Sequence, residues 1–202
     1  ARGFGSGGRN IAAMLADELG VHSYDKRILT LASQYSGYPE HFFREADETL
    51  NGSLITKQLQ ALPKHHAPTG ELSKFTSDDR LFDYQKIIIE KLAASESCVI
   101  VGKCADYILK DYDNVVSIYV EAPRSYTLRR VMERMDDITV EEAHHLITKT
   151  DKYRADYYKY YTGGNYWTNP VNYDLTFNNA RLGDERCVKL TLDCMKLKFG
   201  DD

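Results

Sequence analysis

The sequence predicts an α/β protein with a parallel sheet covered by helices on both faces. Three observations carry that prediction. Short β-branched or aromatic runs, SCVIVG from Ser97, VVSIYVEA from Val115 and YDLTF from Tyr173, alternate with segments of helical period, and strands separated by helices build parallel sheets. A glycine-rich opening, ARGFGSGGRN, leads straight into a helix. At 202 residues, 43% hydrophobic and 28% charged, the chain suits one well-buried core and is too short for two domains of ordinary size.

The elements follow in order. Behind the glycines, Ile11, Met14, Leu15 and Leu19 lie at helical spacing, and Gly20 stands where a left-handed C-terminal residue is wanted. Val21 to Tyr24 predicts a short strand. A second helix starts at Asp25, carries Ile28, Leu29, Ala32 and Tyr35, and stops near Gly37. Residues 38 to 62 read as helical, with Pro39 in a first turn and acids behind it. From Pro63 to Ser77, Pro and Gly punctuation without a period predicts a loop. Asp78 then caps a longer helix with Leu81, Phe82, Gln85, Ile88, Ile89 and Leu92 on one face. An Arg-rich helix spans Ser125 to Met135. A long helix starts at Thr139, where TVEE has the spacing of a capping box with Glu142 at its third position. A helix from Gly183 to about Phe199 closes the chain. The first strand of the sheet is expected just before Ala1, and a start without Met predicts a trimmed N-terminus.

Charge and composition narrow the function. With 26 Lys+Arg against 30 Asp+Glu the net charge is −4, which excludes a global basic footprint for nucleic acid, so any anion site must be local. No apolar run approaches the roughly 18 residues of a membrane span. Cysteines at 98, 104, 187 and 194 form no CxxC pair and predict reduced thiols in a cytoplasmic protein. The pairs His65-His66 and His144-His145 point apart on a helix and make poor metal sites.

The opening carries the chemistry. Gly3, Phe4, Gly5, Ser6, Gly7, Gly8, Arg9 and Asn10 fit G-x-x-x-x-G-K-[ST] at both glycines, with Arg9 for the lysine and Asn10 for the hydroxyl residue. Successive backbone amides make a nest for phosphate oxygens, the helix adds its positive end, and a cation reaches the β/γ oxygens. Arginine offers a forked donor instead of a point charge. Asn10 is the candidate ligand for Mg²⁺, with Ser6 or a water as the substitute. Farther along, Arg130 and Arg134 lie one turn apart on a helix face, and the next helix carries Lys152 and Arg154. Cations closing over a polyphosphate are what phosphoryl transfer requires, because its catalysis is positioning plus electrostatic stabilisation. The competing account makes these cations solvated helix faces laced with acids. Of 15 tyrosines, six fall between Tyr153 and Tyr166. Their spacing predicts packing of a helix against its neighbour ahead of base stacking.

Taken together, RGFGSGGR, SYDKRILTLAS, SGYPEHFFREADE, CVIVGKCADYIL, RRVMERM, TDKYRADYYKYYTG and NYDLTFNN resemble, in order and over nearly the whole chain, the cytidylate-kinase-like family of P-loop nucleoside monophosphate kinases. The resemblance implies a single P-loop NTPase domain with a three-layer α/β/α core, a helical monophosphate-binding insertion at about 38–85 and a lid at about 136–168. It implies ATP and Mg²⁺ as cofactors and a nucleoside monophosphate as partner, with no nucleic acid or membrane. Gly3 to Asn10 would hold the ATP phosphates. Arg130 would pack against adenine, with Arg134 as its phosphate-contacting companion. Lys152 and Arg154 would be the lid cations, and Asn178 and Asn179 the loop at the adenine edge. Asp25, Gln85, Gly102, Lys103 and Asp106 look like acceptor-side groups. Asp25 also reads as an N-cap, Asp106 as a helix start and Gln85 as an exposed helix residue. The family usually has arginine where this chain has Lys103, and lysine does not grip a phosphate bidentately. The implied reaction is in-line transfer of the ATP γ-phosphate to a pyrimidine monophosphate, served by Arg9, Arg134, Lys152 and Arg154. The alternatives are a kinase for another small acceptor and a non-catalytic ATP sensor.

Overall fold

A computed structural model describes residues 1–41, 43–44 and 77–200. The expected helix over 38–62 lies mostly outside the described residues, although 40–41 and 43–44 are helical. The expected loop from Pro63 also falls outside them, up to Ser77. The chain divides into two compact units, Ala1–Ser23 with Cys98–Asp202, and Tyr24–Ser97.

In the first unit, β3 (Ile118–Glu121) and β4 (Leu175–Asn178) pair in parallel, with Ile118 opposite Leu175 and Glu121 opposite Asn178. The opening residues lie on the other side of β3. Gly3 N–H donates to the Val120 carbonyl at 3.0 Å, Val120 N–H donates to the Ala1 carbonyl at 3.1 Å, and Arg2 bridges Val120 in parallel. Ala1 to Gly3 thus run in parallel beside β3 and bond to it as a strand does. β3 is shorter than its hydrophobic run. The Val115 carbonyl is taken by Lys198 Nζ at 2.7 Å, and Ser117 N–H is taken by the Asp174 carboxylate at 2.7 Å, so the ladder starts at Ile118. β1 (His22–Tyr24) and β2 (Cys98–Ile100) make a second two-stranded sheet. The alternation of strands and helices read from the sequence is therefore present as a mixed α/β fold with small parallel sheets.

Helices cover these strands. α1 (Gly8–Leu19) packs along α8 (Asp184–Phe199), where Ile11 and Leu15 meet Val120, Phe177, Cys187 and Val188. Each such fully buried side chain is worth roughly 1.5–3 kcal/mol relative to exposure. Burial also pushes the Cys187 thiol up to about 11, which makes it a packing group instead of a nucleophile. α5 (Arg124–Met132) packs on α6 (Val140–Tyr161) through Val131, Ala143 and Ile147, with Phe4 of the opening loop joining them. The TVEE box forms as spaced: Thr139 Oγ accepts from Glu142 N–H, and the Glu142 carboxylate accepts from Thr139 N–H at 2.9 Å. Tyr157 and Tyr158 of α6 are buried, and the Tyr157 ring meets Tyr153 and Tyr161. α5 ends at Met132, three residues short of the run expected to Met135. Arg134 sits in the turn beyond it, its N–H returned to the Val131 carbonyl.

In the second unit, α2 (Arg27–Ser36) packs on α3 (Ser77–Ser95). Ile28, Leu29, Ala32, Leu81 and Ile89 form the seam, and the Tyr84 ring is met edge-on by Tyr35, Tyr38 and Phe43. The N-cap position of α2 is Lys26, not Asp25, because the first turn closes from Asp25 and Lys26 carbonyls onto Ile28 and Leu29. α3 begins one residue before the expected cap at Asp78. Gly37 ends α2 at φ 75°, the conformation glycine adopts without penalty.

Candidate functional site

The glycine loop leaves the end of the strand-like opening and turns into α1. Gly3 lies against the Glu121 carboxylate, where a Cβ would stand 2.5 Å from Oε1. Gly5 and Gly7 take φ of 79° and 95°, which disfavours any L side chain there. Gly8 meets the Arg2 side chain. Ser6 between them is fully buried, and its Oγ has no hydrogen-bond partner. Asn10 and Ile11 N–H close onto the Gly7 carbonyl at 2.9 and 3.1 Å, so the helix starts at Gly8 and its positive end faces the turn. Arg9 is the exposed second residue of that helix.

On one flank a polar network converges. Asn179, at the start of α7 (Asn179–Leu182), is buried and donates from Nδ2 to the Ser6 carbonyl at 2.8 Å. The same amide donates to Asp184 Oδ1 at 2.6 Å. Arg130 reaches Asp184 at 3.3 Å and the Tyr126 hydroxyl at 2.7 Å. Asn10 Nδ2 donates to Asp184 at 3.4 Å, and its Oδ1 accepts from Arg134 at 3.1 Å. The Asn10 carbonyl oxygen proposed for a metal is therefore already engaged by a guanidinium, while the Ser6 hydroxyl is the unpartnered oxygen. Asn178 is exposed, at the end of β4 beside Asn179.

The other flank is held by α6. Phe4 N–H donates to Asp151 Oδ1 at 2.8 Å. Arg154 pairs with Asp151 at 3.6 Å, donates to the Arg2 carbonyl at 3.0 Å and lies over the Phe4 ring at 5.6 Å. Burial raises the Asp151 carboxyl above the usual aspartate range, offset in part by the Phe4 amide and Arg154. Lys152 is exposed and pairs with Asp156 at 2.6 Å. Positions two apart on a helix face different ways, so the structure brings Arg154 to the loop and leaves Lys152 in solvent.

The acceptor-side candidates divide between the units. Gly102, Lys103 and Cys104 follow β2 with three consecutive positive φ values, 80°, 58° and 55°. Arg2 lies against Gly102. Asp106, in the short helix α4 (Ala105–Ile108), accepts from the Tyr158 hydroxyl at 2.7 Å, and burial raises its carboxyl. In the second unit, Gln85 is buried with an unpartnered Oε1, not the exposed helix residue it also reads as. Asp25 precedes the first residue of α2 by two positions.

Sequence reasoning missed Asp184, Asp151, Tyr126 and Arg2. The i, i+3 spacing of Asp151 and Arg154 was a signal that this arginine has an acid partner. Asp184 stands at the head of a helix, where an acid is ordinary, and no spacing rule connects it to Arg130.

Fold and loop together define a mixed α/β protein whose glycine-rich turn feeds a helix at the end of a parallel sheet. The profile of the cytidylate kinase-like family matches residues 1–181, and the chain belongs to that family. A solved structure described as an uncharacterized protein from Eubacterium ventriosum shares the fold, with a TM-score of 0.69 and 23% identity over 96% of this chain and 94% of that one. No curated protein matches. Family membership suggests a kinase that acts on nucleotides.

Proposed function

We propose that the protein transfers the γ-phosphate of ATP to a nucleoside monophosphate, CMP or a related pyrimidine nucleotide, on a P-loop three-layer core. The monophosphate-binding insertion would span about 38–85 and the lid about 136–168. The observation that carries this reading is the buried, unpartnered Ser6 hydroxyl inside a turn with two left-handed glycines, flanked by Arg130, Arg134 and Asn10. Buried polar groups are nearly always satisfied, and a phosphate or its metal supplies the missing partner.

The chain's residues divide the work. Backbone amides at the head of α1 take phosphate oxygens. Arg9 and Arg134, both exposed, neutralise the β/γ charge that would repel an acceptor phosphate. Mg²⁺, when bound, would supply further neutralisation of the phosphate charge, and the Ser6 hydroxyl, buried and without a hydrogen-bond partner, would be the residue to hold it. Asn179 and Arg130 build the wall on the nucleotide side. No general base is needed, because the acceptor phosphate is already an anion, so orientation and exclusion of water provide the catalysis. Gly102, Lys103 and Asp106, all in the unit that holds the glycine loop, would serve the acceptor.

One observation favours a second reading, an ATP-binding sensor: Arg130 and Arg154 are both neutralised by acids. Coupled ADP release with MgATP and a panel of nucleoside monophosphates separates the two. Pyrimidine-dependent release that Arg9→Met cuts at least tenfold supports the kinase. Tight ATP binding with no acceptor-dependent release overturns it in favour of the sensor.

A further inference from the structure

We propose that Asp184 is the positioning residue of the nucleotide side, a single carboxylate that sets Arg130, Asn179 and Asn10 against the glycine loop and makes the site prefer a nucleotide over a bare polyphosphate. This rests on the nucleotide reading of that loop. Asp184 is the first residue of α8, so its direction is fixed by a 16-residue helix and not by a loop. Its two oxygens accept from four donors: Asn179 at 2.6 Å and Arg130 at 3.3 Å on Oδ1, Arg130 at 3.5 Å and Asn10 at 3.4 Å on Oδ2. A carboxylate can accept on both oxygens without presenting a donor of its own. An asparagine there would offer one acceptor and turn a second donor against donors already present.

The pairing also decides what Arg130 offers. Its side chain is 16% exposed, that of Asp184 19%, and the Tyr126 ring lies 5.5 Å from the guanidinium centre. With its charge compensated by Asp184 and one contact made to an aromatic ring, Arg130 presents a planar surface suited to a nucleobase, and phosphate neutralisation falls to Arg9 and Arg134. Gly7 completes the arrangement, because a Cβ there would collide with the Asn179 amide and lie 2.9 Å from Asp184 Oδ1.

The test compares MgATP and inorganic triphosphate, titrated calorimetrically into the full chain, for wild type, Asp184→Asn and Asp184→Glu. Asp184→Asn is expected to weaken ATP about tenfold while triphosphate binding holds or tightens, since the variant gains net positive charge beside the loop. Asp184→Glu restores part of the ATP affinity. Parallel loss of both ligands, the signature of a general structural defect, overturns the proposal, and so does unchanged ATP affinity. If wild type binds neither ligand, the nucleotide reading falls separately. Amide exchange at Gly7 and the Asn179 side chain then decides the positioning role. Faster exchange in Asp184→Asn supports it and unchanged exchange overturns it.

Discussion

Asn179 Nδ2 donates to the carbonyl of Ser6 at 2.8 Å, joining the end of β4 to the glycine loop across 173 positions of sequence. The bond is buried, so losing the donor strands a carbonyl without water. Asn179→Ala is expected to cost about 1–3 kcal/mol of unfolding free energy and to weaken ATP binding by a larger factor than the stability loss explains. Urea unfolding paired with nucleotide titration reads both. Wild-type affinity in a destabilised variant would remove Asn179 from the site.

Gly7 is the loop position least able to accept a side chain. Its φ of 95° and its approach to Asp184 and Arg130 act together: the left-handed backbone alone costs an L residue roughly 1–2 kcal/mol, and the collision displaces the network. Gly7→Ala is expected to lower the melting temperature and abolish saturable ATP binding. Gly163→Ala, where a Cβ would meet nothing within 4 Å, pays only the backbone cost and keeps binding.

Arg154 and Lys152 provide a contrast within one helix. Lys152→Ala removes an exposed i, i+4 pair and is expected to change stability by less than about 0.5 kcal/mol. Arg154→Ala removes a bond to the Arg2 carbonyl, a contact over Phe4 and the partner of a half-buried acid, and is expected to cost about 1–3 kcal/mol. Equal effects in chemical denaturation would mean that α6 does not brace the loop.

Asp151 predicts a pH effect of definite sign. Burial raises its folded-state pKa, so ionisation is harder in the native chain than in the unfolded one. The stability this group contributes is complete below the usual aspartate range and is lost as pH rises through the raised value. Asp151→Asn keeps an oxygen for the Phe4 amide without the charge. Its stability relative to wild type is therefore expected to climb with pH across that window and then level off. Denaturation midpoints of both proteins against pH measure the difference, and a difference that shrinks with rising pH would contradict burial as the dominant influence.

Much of this was legible in the sequence because it is local. The glycines of the opening demand left-handed backbone wherever a tight turn meets a helix, and TVEE specifies its own two hydrogen bonds at a helix start. Strand positions in VVSIYVEA were visible, but their boundary was not, since Lys198 and Asp174 decide it from far along the chain. The same limit hid the flanks of the site. Asp151 accepting from Phe4 and Asp184 gathering Arg130 are contacts over 147 and 54 positions, and periodicity reports only the face a residue occupies, not what it meets. Lys152 and Arg154, by contrast, could have been separated from spacing alone.

Trp167 is the chain's single tryptophan, and it is buried in the first unit with its ring 5.5 Å from Tyr119. The Tyr119 hydroxyl bonds to Glu121, whose carboxylate lies against Gly3. Indole emission excited at long wavelength is thus an intrinsic optical reporter of the unit that contains the glycine loop, blind to residues 24–97. Followed beside far-ultraviolet dichroism, which sees both units, it shows whether they melt in one cooperative event or two without any label being attached.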